Sequence, residues 1–304
     1  MAGPREFDFV QVDVFTDRVL AGNALAVFLD GRGLDDREMQ AIAREMNLAE
    51  TTFVLPPTRP DCVASVRIFT PAREVPFAGH PTVGTSWVLA TEGLAPPGAA
   101  RFVLEERIGP VPVELDGDPA NPRFVWMQHQ DATFGPEVKD RAGVAAALGL
   151  AEGDLLAGAP IQTGSTGNEF LYVPLRDRDA VDRAGLDPRR LDATLGAGHT
   201  LGTFVLAPDP DPAARRVYSR MFAPHAGVPE DPATGSASGA LGAYLLLHGL
   251  VEPAPRLTIV SEQGTKMARP SFVHIDLTVN DGRVSGIRVG GRVVPVLRGR
   301  LRLG

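Results

Sequence analysis

Thiols are almost missing from this 304-residue chain, in which Cys62 is the only cysteine. An internal disulfide is therefore impossible, and so is a mechanism that needs two thiols from one chain. No apolar run approaches the length of about twenty residues that a membrane-spanning helix needs. The opening stretch MAGPREFDFV lacks the long apolar core of a secretory signal. Positive charge is scarce as well: 30 Lys and Arg stand against 37 Asp and Glu, a net charge of −7. A nucleic-acid binder would normally carry a basic face. Lysine occurs twice, as Lys139 and Lys266, a bias that with the abundant Ala, Gly and Pro points to a GC-rich genome rather than to a function. These absences lead to the expectation of a cytoplasmic protein that engages neither nucleic acid nor membrane.

Several common chemistries are missing too. The histidines are His80, His129, His199, His225, His248 and His274. None stands at ligand spacing from another His, Cys or carboxylate, so no metal is expected. The segment GAGHTLG, 196–202, misses a dinucleotide loop by one residue, and no P-loop pattern occurs. In GSASG, 235–239, the nucleophile position of a serine-hydrolase elbow is taken by Ala237.

What is present is an internal repeat. Phe69, Pro71, Val75 and Pro76 recur 153 positions later as Phe222, Pro224, Val228 and Pro229. Gly93 and Leu94 return as Gly249 and Leu250, so about three residues are inserted in the second copy. Upstream, Gly22-Asn23 and Gly167-Asn168 each open a strand-like run. The chain reads as a duplicated unit of roughly 150 residues, long enough for two lobes with separate cores. The N-terminal lobe is expected over 1–130, with a C-terminal strand at about 285–304 as a candidate to complete it, and the C-terminal lobe over 131–284. Two such lobes would enclose a cleft in which two polar helix starts meet.

Alternation and β-branched content predict strands at 7–15, 24–30, 51–57 and 62–70, and three more between 102 and 130. Helical spacing predicts helices at 34–47 and 82–92. The segment 131–136 reads as a loop. In the second half, short helices are expected at 138–150 and 186–196, a long apolar helix at 236–248, and strands elsewhere. Strands outnumber helices and mostly follow one another directly, which signals an α+β fold rather than a parallel βαβ one. A helix as apolar as 236–248 needs a sheet wrapped around it.

Three places could carry chemistry. Asp231-Pro232 precedes the long apolar helix and can be read as its cap and first residue. The same turn can be read as an anion site, with the Gly235 and Ser236 N–H groups and the Thr234 and Ser236 hydroxyls at the positive helix end. His80 precedes the other helix and is either a structural histidine or a partner of Asp231 across the cleft. Glu50 has capping-box spacing from Asn47, yet Thr51 and Thr52 lead into a strand. Wedged between apolar segments, its carboxyl would lose water and rise in pKa, which suits a general base or acid.

On these residues the chain resembles the PhzF-like isomerase family of phenazine biosynthesis, which is similar in fold to diaminopimelate epimerase. The stretches that carry the resemblance are REMNLAETTFVL (44–55), RIFTPAREVPFAGHPTVGT (67–85) and SRMFAPHAGVPEDPATGSASG (219–239). The resemblance implies two pseudo-symmetric lobes, each a barrel-like sheet around a central helix. It places the catalytic residues on Glu50, His80 and Asp231, and substrate-carboxylate contacts on Gly79, Gly235 and Ser236. It implies no cofactor, no metal, and a homodimer. The turn often written GNP in the family reads Gly22-Asn23-Ala24 here, which keeps Asn23 as a wall residue and loses the proline. The activity implied is isomerisation of a small cyclic or amino-acid-like carboxylate by acid/base proton shuttling. The alternatives are an epimerase or racemase with carboxylates in place of cysteines, and a small-molecule binding protein without turnover.

Overall fold

The computed structural model describes residues 5–196 and 200–304. His199 and the middle of the GAGHTLG segment lie outside the described residues. The chain divides into two compact units, one running to Gln128 and taking in Gly290–Gly304, the other His129–Val289.

The first unit contains β1 (Arg5–Val14), β2 (Asn23–Phe28), α1 (Asp36–Met46), β3 (Glu50–Leu55), β4 (Ala64–Phe69), β5 (Glu74–Val75), α2 (Gly79–Thr91), β6 (Arg101–Glu106), β7 (Gly109–Asp118) and β8 (Asn121–Gln128). The second contains β9 (Thr133–Glu137), α3 (Arg141–Ala147), β10 (Gln162–Ser165), β11 (Glu169–Pro174), α4 (Arg178–Arg183), α5 (Pro188–Leu195), β12 (Gly202–Pro208), β13 (Arg216–Ala223), β14 (Val228–Asp231), α6 (Gly235–Leu247), β15 (Arg256–Gln263), β16 (Ser271–Asn280) and β17 (Arg283–Gly291). The last strand, β18 (Val293–Leu303), pairs antiparallel with β1 in the first unit.

The two units repeat one sequence of ladders. In the first, β1–β2 is antiparallel, β2–β3 parallel, β3–β4 antiparallel, β4–β6 parallel and β6–β7 antiparallel. In the second, β10–β11, β11–β12, β12–β13, β13–β15 and β15–β16 follow the same alternation. The architecture is α+β in both halves, as the directly succeeding strands imply.

Each unit is built on a helix with no polar face. Such a helix must be covered on all sides. In α2 every residue from Gly79 to Ala90 is buried, and in α6 every residue from Gly235 to Leu245. Strands β1, β2, β3, β8 and β18 all contact α2, so the first sheet curls around it. The fit is close: a Cβ at Gly84 would lie 2.6 Å from Leu25 and 2.8 Å from Val14. Around α6, Tyr172, Phe204, Ile259 and Ile275 form the core. Shorter helices cover the outer sheet faces, α1 over Phe28 and Phe53 and α3–α5 over Val173, Val205 and Phe222. The start of α1 has a reciprocal capping box between Asp35 and Glu38.

The structure departs from the sequence expectations in three elements. Helix α2 begins at Gly79 instead of Thr82, because Pro81 is tolerated in a first turn whose N–H groups have no helical acceptor. The expected loop at 131–136 contains β9, which pairs with β10. Helix α4, capped by Asp177, went unread because it spans fewer than two turns of periodic sequence.

Candidate active site

In the first unit, strand alternation decides where Glu50 points. Successive side chains of β3 face opposite ways. Thr52 hydrogen-bonds Thr85 of α2 at 2.9 Å, while Phe53 stacks on Phe28 beneath α1. Glu50 shares the face of Thr52 and so meets the first turn of α2. There His80 Nε2 lies 3.3 Å from Glu50 Oε2. The Glu50 side chain is 15% exposed and that of His80 is 4% exposed. Glu50 opens a strand, and Asn47 ends α1 in the left-handed conformation, so the two form no capping box.

The His80 ring is tied from behind. Its Nδ1 is 3.1 Å from Asn23 Nδ2 at the start of β2, and the backbone of Ala24 also hydrogen-bonds the ring. Burial lowers the imidazole pKa to about 3, against the opposing effect of the Ala24 contact. The Glu50–His80 approach is therefore that of a carboxyl to a neutral ring. Gly79 is the first residue of α2, whose N-cap, Ala78, supplies no side-chain cap.

In the second unit, Asp231 ends β14, and α6 begins only at Gly235 with Thr234 as its N-cap. Asp231 thus does not cap α6, and Pro232 is outside it. Thr234 Oγ1 donates to Asp231 Oδ2 at 2.6 Å. Gln263, the last residue of β15, donates to Asp231 O at 2.7 Å and to Thr234 Oγ1 at 3.0 Å, and accepts from Thr234 N at 3.1 Å. The Thr234 side chain makes no cap hydrogen bond to α6. The leading N–H groups at Gly235 and Ser236 stand at the positive end of a three-turn helix, where a carboxylate is favoured. Arg220 anchors β14 from outside through a bidentate pair with Glu230, both N···O distances 2.8 Å, and through bonds to the Val181 and Ala184 carbonyls.

The structure thus brings Asn23, Glu50, Gly79 and His80 together in the first unit, and Asp231, Thr234, Gly235 and Ser236 in the second. Five further residues are not singled out by the sequence reading. Gln263 and the Arg220–Glu230 pair brace the α6 turn. Glu106, at the end of β6, lies 2.6 Å from Thr82 Oγ1 in the first turn of α2, and burial pushes its carboxyl up to about 8. His129 packs against Gly239 of α6 and bonds Thr166 at 2.8 Å, its pKa lowered to about 4 by burial. Glu106 and Gln263 share one signal, a polar residue at the inward position of a strand end. Among the described residues no group of three or more His, Cys, Asp or Glu could hold a metal ion, and no helix is long and apolar enough to cross a membrane.

The sequence model described as phenazine biosynthesis-like protein matches residues 12–299. An uncharacterized isomerase of Mesorhizobium japonicum is 38% identical, over 97% of this chain and 98% of its own. The trans-2,3-dihydro-3-hydroxyanthranilate isomerase of Pseudomonas aeruginosa is 36% identical, over 97% and 99%. Among solved structures, a PhzF-family phenazine biosynthesis protein of Bacillus anthracis superposes with a TM-score of 0.87 at 27% identity, covering 98% of this chain and 99% of that one. A hydroxyproline epimerase from Agrobacterium vitis shares the fold, with a TM-score of 0.67 at 14% identity over 98% and 93%. The fold is of the diaminopimelate epimerase-like kind, two similar α+β units each with a central helix.

Proposed function

Since the chain belongs to the phenazine biosynthesis-like family and is an isomerase, we propose that it shifts a double bond in a small cyclic carboxylate without a cofactor, with Glu50 as the proton carrier. The compound acted on by the Pseudomonas relative, trans-2,3-dihydro-3-hydroxyanthranilate, is the first substrate to try. Glu50 as a carboxylate takes a proton from one ring carbon, the electron pair of that C–H bond moves into the ring, and Glu50 returns the proton to another carbon. No electron leaves the substrate, so the step balances without an oxidant or reductant. His80 and Asp231 hold polar groups of the substrate. The N–H groups at Gly79, Gly235 and Ser236 and the Thr234 hydroxyl serve its carboxylate, and Asn23 shapes the wall behind His80. A homodimer in the cytoplasm is part of this proposal.

The observation that carries the reading is the placement of Glu50 3.3 Å from a buried His80 at an uncapped helix start. The His80 ring, neutral because burial lowers its pKa to about 3, does not form an ion pair with the carboxylate in the neutral range. Positioned proton transfer typically contributes about 10² to 10⁴ in rate.

The test is turnover in deuterium oxide. Isomerisation delivers the hydrogen, as deuterium to the extent that the Glu50 carboxyl exchanges with solvent between the two transfers, to a carbon other than the one deprotonated. Label and inversion at a single centre would assign an epimerase instead. Ligand-induced stabilisation without turnover across a panel of cyclic and amino-acid carboxylates would assign a binding protein.

A further inference from the structure

Glu106 is buried where β6 ends against the first turn of α2. Thr82 Oγ1 lies 2.6 Å from Glu106 Oε1 and 2.8 Å from the carbonyl of Ala78, the α2 N-cap. Glu106 Oε2 is enclosed and has no hydrogen-bond partner among the described residues. A hydroxyl carries one hydrogen. Were Glu106 ionised, Thr82 would face two acceptors with a single donor, and a bare anionic oxygen would sit in the core at high cost.

The second unit shows the same position filled by a group that cannot ionise. In the parallel ladders Ala64 faces Leu104 and Val217 faces Ser261. Ala64 and Val217 are separated by 153 residues, the spacing of the repeat, so Leu104 corresponds to Ser261. Glu106, two residues on, then corresponds to Gln263. Helices α2 and α6 start at Gly79 and Gly235, which matches Ala78 with Thr234 and Thr82 with Ser238. Ser238 Oγ donates to Thr234 O at 2.9 Å, the counterpart of Thr82 donating to Ala78 O. Gln263 completes the brace with its amide. One unit uses an amide where the other has a carboxyl.

We propose that Glu106 is a positioning residue that works as a neutral acid: its Oε1–H donates to Thr82 Oγ1, Thr82 donates to Ala78 O, and this relay holds the Ala78–Gly79–His80 turn against Glu50. The charged neighbours do not interfere. On the inward faces around Glu106, α2 carries His80 as its one titratable side chain, β4 presents Ala64, Val66 and Ile68, and β7 presents Val111 and Val113. The flanking Glu105 and Arg107 are engaged outside, with Thr58 and Glu74. With its carboxyl pushed up to about 8, Glu106 keeps its proton at neutral pH. Above that, the Thr82 hydrogen must turn from Ala78 to the new carboxylate, and the helix start loosens. The positioning claim does not depend on substrate. Its catalytic consequence rests on the reading of Glu50 and His80 given above.

The experiment titrates wild type, E106Q and T82V on both sides of about pH 8. Infrared difference spectra should show a protonated-carboxyl stretch at neutral pH in wild type that is missing from E106Q. The ring ¹⁵N resonances of His80 should shift with the loss of that band in wild type, stay fixed in E106Q, and sit displaced at every pH in T82V. Where a substrate is turned over, wild-type kcat/KM should fall by up to about tenfold per pH unit above the midpoint, a fall that E106Q moves to higher pH. Absence of the carboxyl band would overturn the neutral acid. A band that titrates without moving the His80 signals would overturn the positioning role. If both spectral results hold and the rate profile stays flat, Glu106 is confirmed and the catalytic reading of His80 fails.

Discussion

His80 meets Glu50 as an uncharged ring: Nε2 stands 3.3 Å from Oε2, and burial has drawn the imidazole pKa down to about 3. The ring cannot act as a cationic partner in the neutral range. It can orient a carboxyl and hold a polar group, as the proposed role of Glu50 as proton carrier requires.

This neutrality shapes acid stability. His80 and His129 have folded pKa values of about 3 and about 4, below the ordinary value of 6.5. The unfolded chain therefore binds more protons than the folded one between those limits, and stability falls as pH drops from 6.5 toward 4. Each ring should steepen the loss by up to about tenfold in the folding equilibrium per pH unit. Chemical denaturation at several pH values checks this: H129Q should flatten the slope, and a slope unchanged from wild type would remove His129 from the account.

Asn23 fixes the ring from behind at 3.1 Å. One hydrogen bond contributes about 0.5–1.5 kcal/mol net, so N23A should lower kcat/KM by up to roughly tenfold. The His80 ring resonances should broaden or shift in the same variant. Unchanged kinetics and spectra would show that the ring is held by packing and the Ala24 contact alone.

Thr234 passes one hydrogen bond to Asp231 and receives another from Gln263. T234V keeps the volume and breaks both, leaving buried polar atoms short of a partner. A loss of about 1–3 kcal/mol is expected in denaturant titrations. KM for the carboxylate substrate should rise more than kcat falls, because the variant disturbs a binding turn and spares Glu50.

Arg220 is 8% exposed and serves Glu230 together with the carbonyls that close α4. R220M removes one partner of a part-buried charge pair, for which the cost of about 3–5 kcal/mol for a fully buried pair is the upper bound. A variant within about 1 kcal/mol of wild type would mean that water replaces the guanidinium.

Much of this was legible in the sequence for identifiable reasons. The repeat announced two similar units, and the all-apolar run after Gly235 announced a helix wrapped by strands. The place of Glu50 at a strand start is legible because Thr51 and Thr52 signal a strand directly behind it. Of the two readings open for Asp231-Pro232, the helix cap falls away, because the turn continues to Thr234 and is closed by Gln263 from a strand 29 residues away. Glu106 and Gln263 were invisible for one reason: their equivalence lies in the parallel registers β4–β6 and β13–β15, and pairing between distant strands leaves no local periodicity.

The central claim, that Glu50 carries the proton, is tested most directly by E50Q on whichever small carboxylate the wild type turns over, with thermal stability measured alongside. The account predicts a kcat at least about 100-fold lower with the fold intact. A stable E50Q protein that keeps a rate within about threefold of wild type would contradict it.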